Sequence, residues 1–252
     1  MRAPSIPGAA IRAVGAAVAV KTATLAFLVT RGSDYALHQC VAGAAFAPRV
    51  EGQPDVMLMM VCLLPQLAFV FALCDYVPTC LFRQAASVMP RLVRRRLWAA
   101  RRASDLMLLA LAYALLGNLL GLAVLALPGN LPLEEALPVI ASALMLELLS
   151  CALLVLLANA AALWLEPVIA VALVLGIHGG MLVSQAYLPL PWAIVVAPWL
   201  PSVRGVLAWH DAPGIAFGAP GMSPASSCAV FVVLVAVAVF ALIRSVVRCD
   251  VL

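Results

Sequence analysis

Four ionisable side chains interrupt otherwise apolar stretches, and any chemistry in this chain would have to start from them. Glu147 stands in LMLELLS, Asp75 in LCDYV, Lys21 in AVAVKTAT and His178 in GIHGG. Two carboxylates in such surroundings raise the idea of an intramembrane protease, yet neither has a glycine turn beside it. With Lys21 they could instead form the proton relay of an ion-coupled carrier. An unpaired charge in the middle of an apolar span costs at least ~2.5 kcal/mol. Glu147 is therefore expected to face a cavity, bind a proton or pair with a base such as Lys21. Structural pairing and contact with a substrate both remain open for it.

The other polar positions read more simply. Asp75 falls near the end of its span and suits an interfacial anchor. His178 is alone, so it cannot build a metal site. Its neighbours Gly176, Gly179 and Gly180 suggest a hydrogen bond across a tight helix contact. Gly117 and Gly121 form a small-x-x-x-small pair expected to pack against a helix of this chain or of a second copy, with Asn118 bonding there. Pro65 is expected to kink its helix.

Recognisable enzyme motifs are missing. GAAVAVKT places Gly15, Lys21 and Thr22 as in a phosphate-binding loop, but Val20 occupies the position of the second glycine. No G-x-S-x-G or H-E-x-x-H occurs. The seven cysteines include no C-x-x-C, and most lie in apolar runs where Cys behaves as a small hydrophobe; Cys40 is the one placed to meet an oxidising exterior. No catalytic residue, metal or bound cofactor is expected.

The elements that hold these residues follow from composition. Of 252 residues 66% are hydrophobic and 10% charged, with mean hydropathy +1.13. A soluble domain is about half apolar, so an all-α membrane protein forming one transmembrane domain over residues 1–252 is expected. Hydrocarbon about 30 Å thick needs about 20 apolar residues in helix. Six stretches qualify, at about 11–30, 56–82, 104–127, 135–162, 167–188 and 225–247. Arg2, Arg12 and Lys21 flank or interrupt the first without a clean cleavage site, which reads as a retained span rather than a signal peptide.

Arginine sets the orientation. With the N-terminus inside, eleven arginines fall in internal segments, and only Arg31, Arg49 and Arg204 lie outside. The positive-inside rule then puts both termini in the cytoplasm. LWLEP at 163–167 makes a tight inner hairpin, while 189–224 is a long outer segment with seven prolines and Trp192, Trp199 and Trp209. Those tryptophans suit the membrane interface. Leu200, Val203, Val206 and Leu207 have helical spacing, so short interfacial or re-entrant helices are expected there.

The densest charge is RLVRRRLWAARR, Arg91 to Arg102, with six arginines in twelve residues. On a helix, Arg91, Arg94, Arg95, Arg101 and Arg102 cover about one third of the circumference, opposite Val93, Leu97 and Ala100. An amphipathic cytoplasmic helix between spans two and three is the expectation. It could be a topology signal that grips anionic lipid or a docking helix for a cytoplasmic partner. Nucleic acid is disfavoured, since no aromatic platform accompanies the charge.

LLPQLAFVFALCDYVPTCLFRQ followed by RRRLWAARRASDLMLLALAYALLGNLL resembles the second span, basic segment and third span of ABC-2-type transporter permeases. The short lead, the LWLEP hairpin, the prolyl outer segment and the closing RSVVRCDVL agree in order and spacing. That resemblance implies a permease subunit in a bacterial cytoplasmic membrane, exporting peptide, drug or lipid-like substrates. It further implies a separate ATP-binding cassette ATPase holding ATP and Mg, and a second permease chain, identical or related. Arg91, Arg94, Arg95, Arg101 and Arg102 would meet the ATPase, flanked by Arg83 and Asp105. Pro198, Trp199, Arg204, Trp209 and His210 would match the outer gate. Glu147, His178 and Asn118 are the residues proposed for the path. Lys21 departs from the pattern, since an apolar residue is expected there.

Overall fold

The computed structural model describes residues 7–30, 56–88, 95–126, 133–211 and 222–249. These residues are helical apart from short turns, with no strand among them. Among the described residues six helical stretches are long and apolar enough to cross a membrane, the second being Val56–Phe82. In chain order the helices are α1 (Gly8–Thr30), α2 (Val56–Leu73), α3 (Tyr76–Val88), α4 (Arg95–Ala126), α5 (Leu133–Ala161) and α6 (Pro167–Tyr187). Then come α7 (Leu190–Val196), α8 (Pro201–Arg204) and α9 (Pro224–Arg248), with single 3-10 turns at Ala197–Trp199 and Leu207–Trp209.

Helix α5 is the centre of the bundle. It packs on α2, α4, α6 and α9, and 61% of its apolar stretch is buried, against 22–33% in the other five spans. Around it the outward faces remain apolar: Phe71, Leu108, Leu119, Val237 and Phe240 are all exposed. Such an apolar exterior is what a hydrocarbon solvent accepts and water does not. The LWLEP hairpin turns at Ala162–Glu166 and restarts at Pro167, whose missing N–H is harmless in a first turn. Trp164 donates to Ser245 Oγ at 3.0 Å, tying that hairpin to the end of α9.

Three sequence expectations change. The second span, which carries Pro65 inside α2, is not one continuous helix but is broken at Cys74–Asp75. Pro78 explains the break, because in a continuous helix its ring would strike the carbonyl of Cys74. In the first turn of α3 the same proline is tolerated. Asn159, fully buried on α5, clasps the gap by donating to Leu73 O at 2.7 Å and accepting from the Val77 N–H at 2.8 Å.

Second, the described part of the arginine segment is no separate amphipathic helix. Arg95–Ala126 is one helix of 32 residues, about 48 Å long at 1.5 Å per residue. Arg95 to Tyr113 contains no glycine or proline, and Arg, Ala and Leu are strong helix formers. Nothing stops the span from running on into its basic lead.

Third, Trp209 is buried in the bundle, not at the interface expected for it. It is 1% exposed and packs with Met59, Leu63 and Val203, whereas Trp192 and Trp199 are exposed. From Leu190 to Trp209 the chain is a series of short helices and turns, because Pro191, Pro198 and Pro201 each restart the backbone.

Candidate functional site

Several polar residues of the spans converge on one partly open cavity of about 120 Å³ bordered by α1, α2, α4, α5, α6 and the segment after α7. Two polar groups line it. Lys21 Nζ from α1 lies 2.6 Å from both carboxylate oxygens of Glu147 on α5. Asn118 from α4 donates to the same carboxylate at 2.6 Å and to Ala114 O at 2.7 Å. Lys21 therefore finds in Glu147 the partner that its place in an apolar span demands.

The lysine reaches across because α4 is bare where it passes. A Cβ on Gly117 would lie 2.7 Å from Lys21 Cδ, and one on Gly121 2.7 Å from Leu25 Cδ1. The small-x-x-x-small pair thus packs α4 against α1 of the same chain. Tyr113, one turn before Gly117, places its ring 5.6 Å from Lys21 Nζ and stacks on Phe69 at 4.5 Å. Its hydroxyl is fully buried and has no hydrogen-bond partner among the described residues.

The second polar group is uncharged. Gln66 on α2 donates to Ser150 Oγ at 2.5 Å, and its Oε1 lies 3.2 Å from His178 Nε2. His178 Nδ1 lies 2.9 Å from Ser202 Oγ. The Gln66 oxygen can only accept, so a neutral His178 carries its proton on Nε2 and accepts from Ser202. Ser150 follows Glu147 by three residues on one helix face, which joins the two groups across the cavity wall. The expected cross-helix bond of His178 is present, but the glycines beside it do not make it. A Cβ on Gly176, Gly179 or Gly180 would meet nothing within 4 Å.

Residues 198–210 make a separate network with Ser227 of α9. Arg204 Nε donates to Pro198 O at 2.6 Å, and its Nη1 contacts Ser227 Oγ at 3.3 Å. Ser227 lies 2.8 Å from His210 Nε2, and His210 Nδ1 donates to Val206 O at 3.0 Å. Burial, assisted by the Arg204 charge, holds the His210 imidazole below its ordinary range. Of the expected gate residues, Trp209 and His210 are buried, Pro198 and Arg204 half-buried, and Trp199 is 82% exposed.

At the other end, the arginines expected to meet an ATPase divide. Arg91 and Arg94 lie outside the described residues, as does the side chain of Arg83. Arg95 is half-buried and Arg101 exposed. Arg102 turns inward, 3% exposed, donating to Asp105 at 2.8 Å and to the Tyr76 hydroxyl at 3.1 Å. Trp98 is buried beside it with 5.6 Å between guanidinium and ring centre. Asp75 is exposed at the helix break, accepting from Thr79 at 3.1 Å, and takes no part in the cavity.

Gln66, Ser150, Tyr113 and Ser202 join Lys21, Glu147, Asn118 and His178 without having been singled out. Gln66 and Ser150 were visible as polar residues inside apolar runs, and Ser150 by its spacing from Glu147. Tyr113 and Ser202 carried no such signal. No group of three His, Cys, Asp or Glu side chains able to hold a metal occurs among the described residues. No family model matches the chain, and no curated protein or solved structure matches it either.

Proposed function

We propose that this chain is the permease subunit of an ABC-2-type transporter, exporting peptide, drug or lipid-like substrates across a bacterial cytoplasmic membrane. A separate ATP-binding cassette subunit supplies ATP and Mg chemistry, and a second permease chain completes the path. One observation carries the reading. The short helices between α6 and α9 fold back into the bundle until Ser202 meets His178, twelve residues into α6, and so cover the cavity. In a permease such re-entrant helices close the outer side. With both termini in the cytoplasm, the basic stretch of sequence from Arg91 into α4 is the part that meets the ATPase, through Arg91, Arg94, Arg95 and Arg101.

Purification from native membranes in mild detergent tests this. An ATP-binding cassette subunit is expected to co-purify with the wild type and to be lost from the Arg91, Arg94, Arg95 and Arg101 to Gln variant. Arg102 is left intact there, because its loss would break a buried pair. Recovery of the chain without such a partner would overturn the reading.

The Lys21–Glu147–Asn118 cluster favours a second reading, an ion-coupled carrier. Asp75 falls out of its relay. Transport into vesicles that follows the proton gradient and ignores ATP would establish it.

A further inference from the structure

The cavity holds two facts that bear on what it binds. Among the described residues its only charged lining side chains are Lys21 and Glu147, and they neutralise each other at 2.6 Å with Asn118 fastened to the same carboxylate. A ligand with net charge would enter without a counter-charge, in surroundings where an unmatched ion is costly. A zwitterion would gain only by prising apart a pair already bonded through both carboxylate oxygens. The second fact is the Tyr113 hydroxyl, on a fully buried residue of the cavity wall, with no partner among the described residues. A buried hydroxyl without a partner is uncommon in folded proteins and leaves a donor free for an occupant.

The remaining wall is divided. Leu25, Leu28, Leu63 and Leu182 supply hydrocarbon, while Ser150, Gln66, His178 and Ser202 form a closed uncharged chain. In size the cavity is somewhat below the roughly 150 Å³ that accommodates a benzene ring. It fits a head group with its first few carbons, not a whole lipid or peptide.

We infer that the cavity is a binding site for an uncharged amphiphile, whose carbonyl or hydroxyl oxygen accepts a hydrogen bond from Tyr113 and whose chain lies along the leucines. Calling that amphiphile the transported substrate rests on the permease reading; its binding does not.

The test uses the full-length protein in phosphatidylcholine nanodiscs and a photoreactive diazirine derivative of octanamide, with covalent label mapped by mass spectrometry. Label is expected on α1, α4 and α5 residues around the cavity. Octanamide should compete it away, and octanoate and octylammonium at equal concentration should not. Tyr113→Phe keeps the ring on Phe69 and is expected to weaken octanamide competition about fivefold, the worth of one modest hydrogen bond. The unliganded variant should melt no lower than wild type, since it removes a hydroxyl that had no partner. Equal competition by the charged analogues, labelling indifferent to Tyr113→Phe, or label confined to the bundle exterior would each overturn the site and leave a water-filled void. Loss of cavity labelling with ATPase co-purification intact removes the site alone. Labelling without any ATPase partner keeps the site and removes the permease reading.

Discussion

Gly117 and Lys21 interlock: the lysine stem crosses α4 where a methyl group on Gly117 would sit 2.7 Å from its Cδ. The ion pair with Glu147 thus depends on a residue that makes none of its hydrogen bonds. Gly117→Ala should push the lysine off its course and lower stability by about 1–3 kcal/mol, as overpacking does. Gly15→Ala, with nothing within 4 Å of its Cβ, should be neutral or gain about 0.5–1 kcal/mol from helix propensity. Melting midpoints of the two variants in one detergent check this, and equal midpoints would dismiss the interlock.

Removing one partner of the pair should do more damage than removing both. Lys21→Met strands the Glu147 carboxylate in the bundle, a change that costs about 3–5 kcal/mol when a buried pair is broken. Lys21→Met combined with Glu147→Met leaves two apolar side chains and should recover most of the loss. A double-mutant cycle on thermal stability measures the coupling. Additive losses would mean that the two charges stand independently.

His210 should make stability depend on pH. Its native imidazole titrates below the ordinary value of about 6.5 because it is buried, with Arg204 adding repulsion through Ser227. The unfolded chain therefore binds the proton first. Stability is full above about pH 6.5 and falls as the pH drops from there towards the lowered native value. His210→Gln should flatten this part of the melting-versus-pH curve, and an unchanged slope would remove His210 as its source.

Much of the frame was legible because hydrocarbon imposes a length and a polarity on each span. Five of the six apolar runs lie within a few residues of their helices. Lys21 and Glu147 were recognisable as partners, since each alone would be a charge in an apolar span. Arg102 was not, because a helical wheel groups it with Arg101 and Arg95 while its fate depends on Tyr76 on another helix. Its spacing of three from Asp105 was the available sign. The break at Cys74–Asp75 hid for a different reason: Pro78 passed as one more residue of an apolar run. The amide that repairs the gap, Asn159, sits more than eighty residues away in sequence. The GIHGG glycines show the reverse, a pattern that suggests close packing where the helix face is in fact open.

Helix α5 is tied at three levels to different neighbours. Glu147 binds α1 and α4, Ser150 holds α2 through Gln66, and Asn159 closes the gap between α2 and α3. Sliding it by one residue, about 1.5 Å, would pull on all three attachments at once. It is the fixed post of the molecule. Whatever widens the cavity must swing the surrounding helices about it, so a reporter placed on α5 should stay still while those on α1 and α6 move.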